Sequence, residues 1–146
     1  MASQVSAGGR GFRTFLDTNV FLYFDDPRDP VKNQKALDLI KQHLSAKTGV
    51  ISLQVLQEYF VNATGKLKLA AELAKQRVEV FAKLQVVEPK VADILGAIDI
   101  HRLYGFSFWD SLILCCAKQS GCRILLSEDM QHGQVIEGVR IVNPFL

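Results

Sequence analysis

Phe15-Leu16-Asp17-Thr18-Asn19-Val20 sets an apolar, strand-like run directly against a carboxylate and a turn-forming trio. Residues 12–16 read as a short first strand, and a brief helix is expected from Val20. Aspartate is seldom buried without a partner, so an acid at the end of such a run calls for compensation. The same setting recurs three times along the chain. Glu58 lies in Val55-Leu56-Gln57-Glu58-Tyr59-Phe60, Asp110 in Phe108-Trp109-Asp110-Ser111-Leu112-Ile113, and Asp129 in Leu125-Leu126-Ser127-Glu128-Asp129. If the fold brings the four together, the natural compensation is a hard divalent cation with oxygen ligands.

Working outward, Asp29 reads as a helix N-cap with Pro30 at the first helical position, and residues 31–46 carry one apolar stripe. Gly49 is expected to end that helix, and residues 50–53 make a compact second strand. Residues 54–63 have helical spacing, with Glu58 at the flank of the apolar stripe. Residues 69–85, rich in Ala, Leu, Glu and Lys, read as a further helix. Val86-Val87 offers a short strand, Pro89 announces a helix over 91–104, and Gly105 closes it. A last helix is expected over 107–119, with late strands at 123–127 and 140–142. Strands alternating with helices predict a three-layer α/β domain with a mainly parallel sheet. Crossover helices run antiparallel to their strands, so all four acids belong on the carboxyl edge of that sheet, where such folds bind ligands.

The chain has 146 residues, 49% hydrophobic and 22% charged, which suits one globular domain able to bury about two-thirds of its unfolded surface. No apolar run approaches the ~20 residues of a membrane span. Residues 1–11 are small and polar without an apolar signal segment, and read as a disordered leader before a domain spanning 12–146. A net charge of +2 argues against bulk electrostatic binding of nucleic acid but leaves room for a local basic rim. Cys115 and Cys116 fall in an apolar helical run and Cys122 follows them; with no paired Cys/His spacing for zinc, a reducing cytoplasm is the simplest compartment.

Each acid also has an ordinary explanation. Asp17 can form an Asx turn or cap the next helix, Glu58 can be a solvated helix residue, Asp110 can complete a Ser-x-x-Asp capping box with Ser107, and Asp129 can be a turn acid. The pattern of four on one edge carries the signal, because clustered carboxylates repel and a divalent metal relieves that repulsion. Other candidates are weaker. His43 and His132 read as surface residues, and His101 as structural or a local RNA contact. Lys66, Lys68, Lys75 and Arg77 read as solvated helix charge, and Trp109 as core. Glu128 should face away from Asp129 if the chain there is extended.

Taken in order and spacing, Leu16-Asp17-Thr18-Asn19-Val20, Gln57-Glu58-Tyr59, Trp109-Asp110-Ser111 and Ser127-Glu128-Asp129 resemble the stations of the PIN-domain nucleases, especially toxins of the VapC type. The resemblance runs from about residue 14 to residue 145. It implies a PIN-like nuclease domain in which Asp17, Glu58, Asp110 and Asp129 bind metal and act in catalysis, with Asn19 and Ser127 in supporting hydrogen-bond roles. It further implies a Mg²⁺- or Mn²⁺-dependent endoribonuclease that leaves a 5′-phosphate, a homodimer, and, for a toxin, a cognate antitoxin over the groove. Two other readings stand beside it. One is a non-catalytic PIN-like RNA-binding or interaction module. The other is a haloacid-dehalogenase-type phosphatase with Asp17 as nucleophile, although Asn19 occupies the position where that chemistry needs a second acid.

Overall fold

The structure, a computed structural model, describes residues 12–146; the expected leader over 1–11 lies outside the described residues. Strand β1 (Thr14–Leu16) is central and fully buried, with β2 (Gly49–Ser52) and β4 (Ile124–Leu126) paired parallel on its two sides. Strand β3 (Gln85–Val87) extends the sheet beyond β2, and β6 (Val139–Val142) extends it beyond β4, both parallel. Strand β5 (Val135–Ile136) closes the far edge antiparallel to β6, giving the order β3-β2-β1-β4-β6-β5. Among the described residues six helices complete the three layers: α1 (Thr18–Phe24), α2 (Pro30–Ala46), α3 (Leu53–Gly65), α4 (Ala71–Phe81), α5 (Val91–Tyr104) and α6 (Phe108–Gln119). No described helix is long and apolar enough to cross a membrane.

Local chemistry accounts for most boundaries. Asp29 caps α2 by accepting from the Lys32 N–H at 3.1 Å, with Pro30 at the first helical position as expected. Gly105 ends α5 in the left-handed region at φ +80°, which a glycine adopts without a Cβ penalty. The core runs continuously through Phe15, Val20, Phe21, Ile51, Tyr59, Phe81, Ile113, Leu125 and Ile141. Tyr59 and Phe24 both meet the Phe81 ring edge-on, at 5.1 and 5.5 Å between centroids. Beside this aromatic group, Asp25 is held by the Tyr59 hydroxyl and by Arg77 Nε at 2.8 Å.

Several expectations are corrected. The helix expected over 69–85 is shorter, because the chain turns after Phe81 and Gln85 joins β3. Helix α1 starts at Thr18 rather than Val20 because Asp17 serves as its N-cap. Gly49 does not end α2; Lys47 does so at φ +58°, and Gly49 opens β2. Its value is close packing, since a Cβ there would stand 2.8 Å from Leu84 Cδ2 and 2.9 Å from His43 Cβ. His43 is a core residue, not a surface one: it is buried, shares a 2.7 Å hydrogen bond with Thr48 Oγ1, and burial lowers its proton affinity. Strand β5 escaped notice in the sequence, although Glu137-Gly138, both at positive φ, is the kind of pair that a two-residue hairpin between Ile136 and Val139 requires. All three cysteines are buried and free, as their apolar setting suggested.

Candidate functional site

The carboxyl ends of β1, β2 and β4 and the amino end of α6 bring the four acids to one edge. Asp17 follows β1 and is only 5% exposed. Its Oδ1 accepts from the Thr18 N–H at 2.7 Å, and its Oδ2 accepts from the Ser127 hydroxyl at 2.7 Å. The helix-cap explanation of Asp17 therefore holds, and it coexists with membership of the acidic set. Burial, with repulsion from Asp129 and Asp110, outweighs those two bonds and pushes the Asp17 carboxyl up to about 7. A shift of that size sets about 4 kcal/mol against the charged form.

Ser127 and Thr18 join Asp17 to its neighbours. The Ser127 Oγ that donates to Asp17 also accepts from the Asp129 N–H at 3.2 Å. Asn19 Nδ2 donates to Asp129 Oδ2 at 3.1 Å, while its Oδ1 accepts from the Glu128 N–H at 3.3 Å. Across the edge, the Thr18 hydroxyl donates to Glu58 Oε1 at 2.6 Å, and Gln54 Nε2 donates to Glu58 Oε2 at 3.2 Å. Asp110 sits in the first turn of α6, where the Ser107 hydroxyl accepts its N–H at 3.1 Å. Burial, followed by repulsion from Asp129 and with a further contribution from Glu58, raises its proton affinity too.

Thr18 and Gln54 were not singled out from the sequence. Thr18 had a signal, since it stands between two residues already marked, yet nothing local announces its contact forty residues away. Trp109, expected in the core, is 60% exposed beside Asp110, with Phe108 against it at 5.1 Å and its carbonyl near Gln54 Nε2 at 3.4 Å. Glu128 faces away from the acids, as expected, toward Lys32 and Tyr23. Arg77 is not free charge but the partner of Asp25, while Lys66, Lys68 and Lys75 are exposed. His101 is structural: its Nδ1 meets the Phe106 carbonyl at 2.5 Å. His132 is exposed and accepts from the Asn143 N–H at 3.0 Å.

The donors at this edge suit a hard cation, being carboxylates with hydroxyl and amide support. Among the described residues no three acidic, cysteine or histidine side chains form a ready-made metal cage. An open arrangement of this kind suits Mg²⁺, which keeps several waters and takes few protein oxygens. Three buried oxygens without a hydrogen-bond partner, Ser52 Oγ, Gln54 Oε1 and Ser111 Oγ, all belong to the amino ends of α3 and α6. Those same ends carry Glu58 and Asp110. Buried polar atoms left unpaired call for a specific explanation, and each of these three lies on a segment that also carries an acid of the set.

The PIN domain family model matches residues 14–136, and the chain belongs to that family. Among solved structures, a toxin–antitoxin complex from Klebsiella pneumoniae is similar at 19% identity and a TM-score of 0.67, covering 90% of this chain and 98% of that one. Mycobacterium tuberculosis VapC20, described as a sarcin-ricin loop cleaving toxin, is similar at 15% identity and a TM-score of 0.63, covering 80% of this chain and 91% of that one. No curated protein matches the chain. The phosphatase reading loses its footing, because position 19, where that chemistry needs a second acid, is an asparagine whose amide is held by Asp129 and Glu128.

Proposed function

We propose that this PIN-domain protein is a metal-dependent endoribonuclease and the toxin of a toxin–antitoxin pair. The observation that carries the activity is the buried Asp17 carboxyl, pushed up to about 7 by burial and, less, by its acidic neighbours, and hydrogen-bonded through Ser127 and Thr18 to the segments bearing Asp129 and Glu58. A framework that collects mutually repelling acids needs a cation to complete it. Asp17, Glu58, Asp110 and Asp129 would hold Mg²⁺ or Mn²⁺. When bound, that ion supplies an acidified water and neutralises charge on a phosphodiester.

The chain's own residues do the rest. Asp17, pushed up to about 7, would have to be in its carboxylate form, its proton released to solvent, to serve as a ligand. Ser127 donates to Asp17, and Thr18 donates to Glu58, so each carboxylate presents its remaining lone pairs in a fixed direction. Asn19 does the same for Asp129. Attack of water on phosphorus breaks the P–O3′ bond, leaving a 3′-hydroxyl on one fragment and a 5′-phosphate on the other. The exposed Trp109 ring next to Asp110 offers a face on which an unpaired base can stack, consistent with single-stranded or loop RNA as substrate. The fold it shares with a toxin–antitoxin complex supports an antitoxin as partner; a cytoplasmic homodimer as the working form is part of the same proposal and rests on the family resemblance alone.

Induced expression in a bacterial host tests this reading. The wild-type chain should arrest growth and generate new RNA 5′ ends, while Asp17→Ala, produced at the same level, should do neither. Growth arrest without new ends would favour the non-catalytic RNA-binding module instead.

A further inference from the structure

One cluster of side chains outside the acids grips the segment that carries Asp129. Glu128 Oε2 accepts from Lys32 Nζ at 2.5 Å, and its Oε1 accepts from the Tyr23 hydroxyl at 2.6 Å. Lys32 Nζ also donates to the Tyr23 oxygen at 3.2 Å and lies 4.9 Å from the centre of that ring. With side chains only 24% and 29% exposed, Glu128 and Lys32 form a sheltered, doubly bonded group rather than an isolated surface pair. Lys32 itself is well fixed. Its N–H is the one capped by Asp29, and the adjacent Asn33 Nδ2 donates to the carbonyls of Tyr23 and Phe24 at 2.9 and 3.0 Å. The start of α2 is thereby tied to the end of α1, and both to Glu128.

We propose that Lys32 and Tyr23, by anchoring Glu128, are positioning residues that set where the Asp129 carboxylate stands and so how tightly the site holds a divalent cation. The inference rests on the metal-dependent reading above. Glu128 and Asp129 are consecutive in the bend that follows β4, with Glu128 fixed toward α1 and α2 while Asp129 meets Asn19 on the side of Asp17, so holding the one side chain sets the direction of the other. Asn19 reinforces this from the other side, since one amide group holds both the Glu128 N–H and the Asp129 carboxylate. Released from Lys32 and Tyr23, Glu128 would be a loose acid beside a site already crowded with them.

Lys32 makes the idea sharply testable because two effects have opposite signs. Removing a positive charge near a cation site should by itself strengthen cation binding. Losing the anchor should weaken it. Calorimetric titration of Mn²⁺ into wild type, Lys32→Met, Tyr23→Phe, Glu128→Ala and Glu128→Gln separates them. Lys32→Met and Glu128→Ala should weaken Mn²⁺ binding by roughly 10–100-fold, the usual effect of removing an outer-shell partner. Glu128→Gln keeps one carbonyl acceptor for Lys32 in the same shape, and its amide can donate to the Tyr23 oxygen instead of accepting from it, so it should recover most of the affinity. In RNA cleavage at matched Mn²⁺ saturation, kcat should fall with KM little changed.

Wild-type Mn²⁺ affinity in folded Lys32→Met and Glu128→Ala would overturn the proposal even if both melt earlier, as a purely structural role would have it. Tighter binding by Lys32→Met overturns it as well, and Tyr23→Phe supplies the same reading should the charge variants not fold. Absence of Mn²⁺ binding by wild type overturns the metal reading and this proposal together. Binding by wild type that Asp17→Ala loses and the anchor variants keep overturns this proposal alone.

Discussion

At Asp17 the framework and the chemistry pull in opposite directions. Folding removes the carboxyl from water and sets it near Asp129 and Asp110, which lifts it to about 7 from an ordinary carboxylate value. For such a group the folded state holds the proton more tightly than the unfolded chain. Its favourable contribution is complete below about pH 4 and is lost as pH rises toward and through 7. Metal-free protein should therefore become less stable across that window. Asp17→Asn, which retains a carbonyl acceptor and an amide that can meet Ser127, should flatten the slope and melt higher at pH 8. Thermal unfolding in chelator at a series of pH values checks both; an Asp17→Asn protein no more stable than wild type at pH 8 contradicts the account. Thr18→Val removes the hydroxyl that orients Glu58 while keeping the shape, and should lower cleavage by roughly 10–100-fold with little change in melting temperature. Trp109→Ala should mainly raise KM for single-stranded RNA, since base stacking on an aromatic contributes about 1–3 kcal/mol. An unchanged KM would assign that exposed ring to some other contact.

Elements were legible in the sequence where a cap or breaker announced them and obscure where a distant contact decided. Asp29-Pro30 and Gly105 mark their helix ends by local chemistry, and α5 falls where the spacing predicts it. Gly49 was misread because its role is tertiary: β2 begins so close to Leu84 and His43 that no side chain fits. His43 was misplaced for the same reason, as its burial follows from how α2 packs on β2. Gly49→Ala should accordingly destabilise the protein by about 1–3 kcal/mol, the usual result of overpacking, measurable by denaturant unfolding. A neutral substitution would mean that Leu84 and His43 give way more easily than their packing suggests. Helix α4 is shorter than its composition predicts, because that favourable composition continues past Phe81, where pairing of Gln85 with Val50 takes the chain into the sheet. Propensity yields there to the ladder.

On the scale of the whole molecule, the sheet order explains why four ordinary-looking acids belong together. Central β1 lies between β2 and β4, so the residues following all three strands share one edge. Asp17, Glu58 and Asp129 arrive there by strand topology and Asp110 by the direction of α6. That convergence was legible from alternation alone. The hydroxyls of Thr18 and Ser127 and the Lys32–Glu128–Tyr23 anchor were not, because each joins segments about a hundred residues apart or faces a partner that only the packing supplies. The central claim is that this acidic edge cleaves RNA with a divalent metal. Cleavage of a single-stranded RNA by purified protein, in Mn²⁺ and in chelator, by wild type and by folded Asp17→Ala and Asp110→Ala, addresses it most directly. The account predicts Mn²⁺-dependent cuts bearing 5′-phosphates, lost in chelator and reduced at least about 100-fold in both variants. Cleavage that persists in chelator, or that both variants perform as well as wild type, would contradict it.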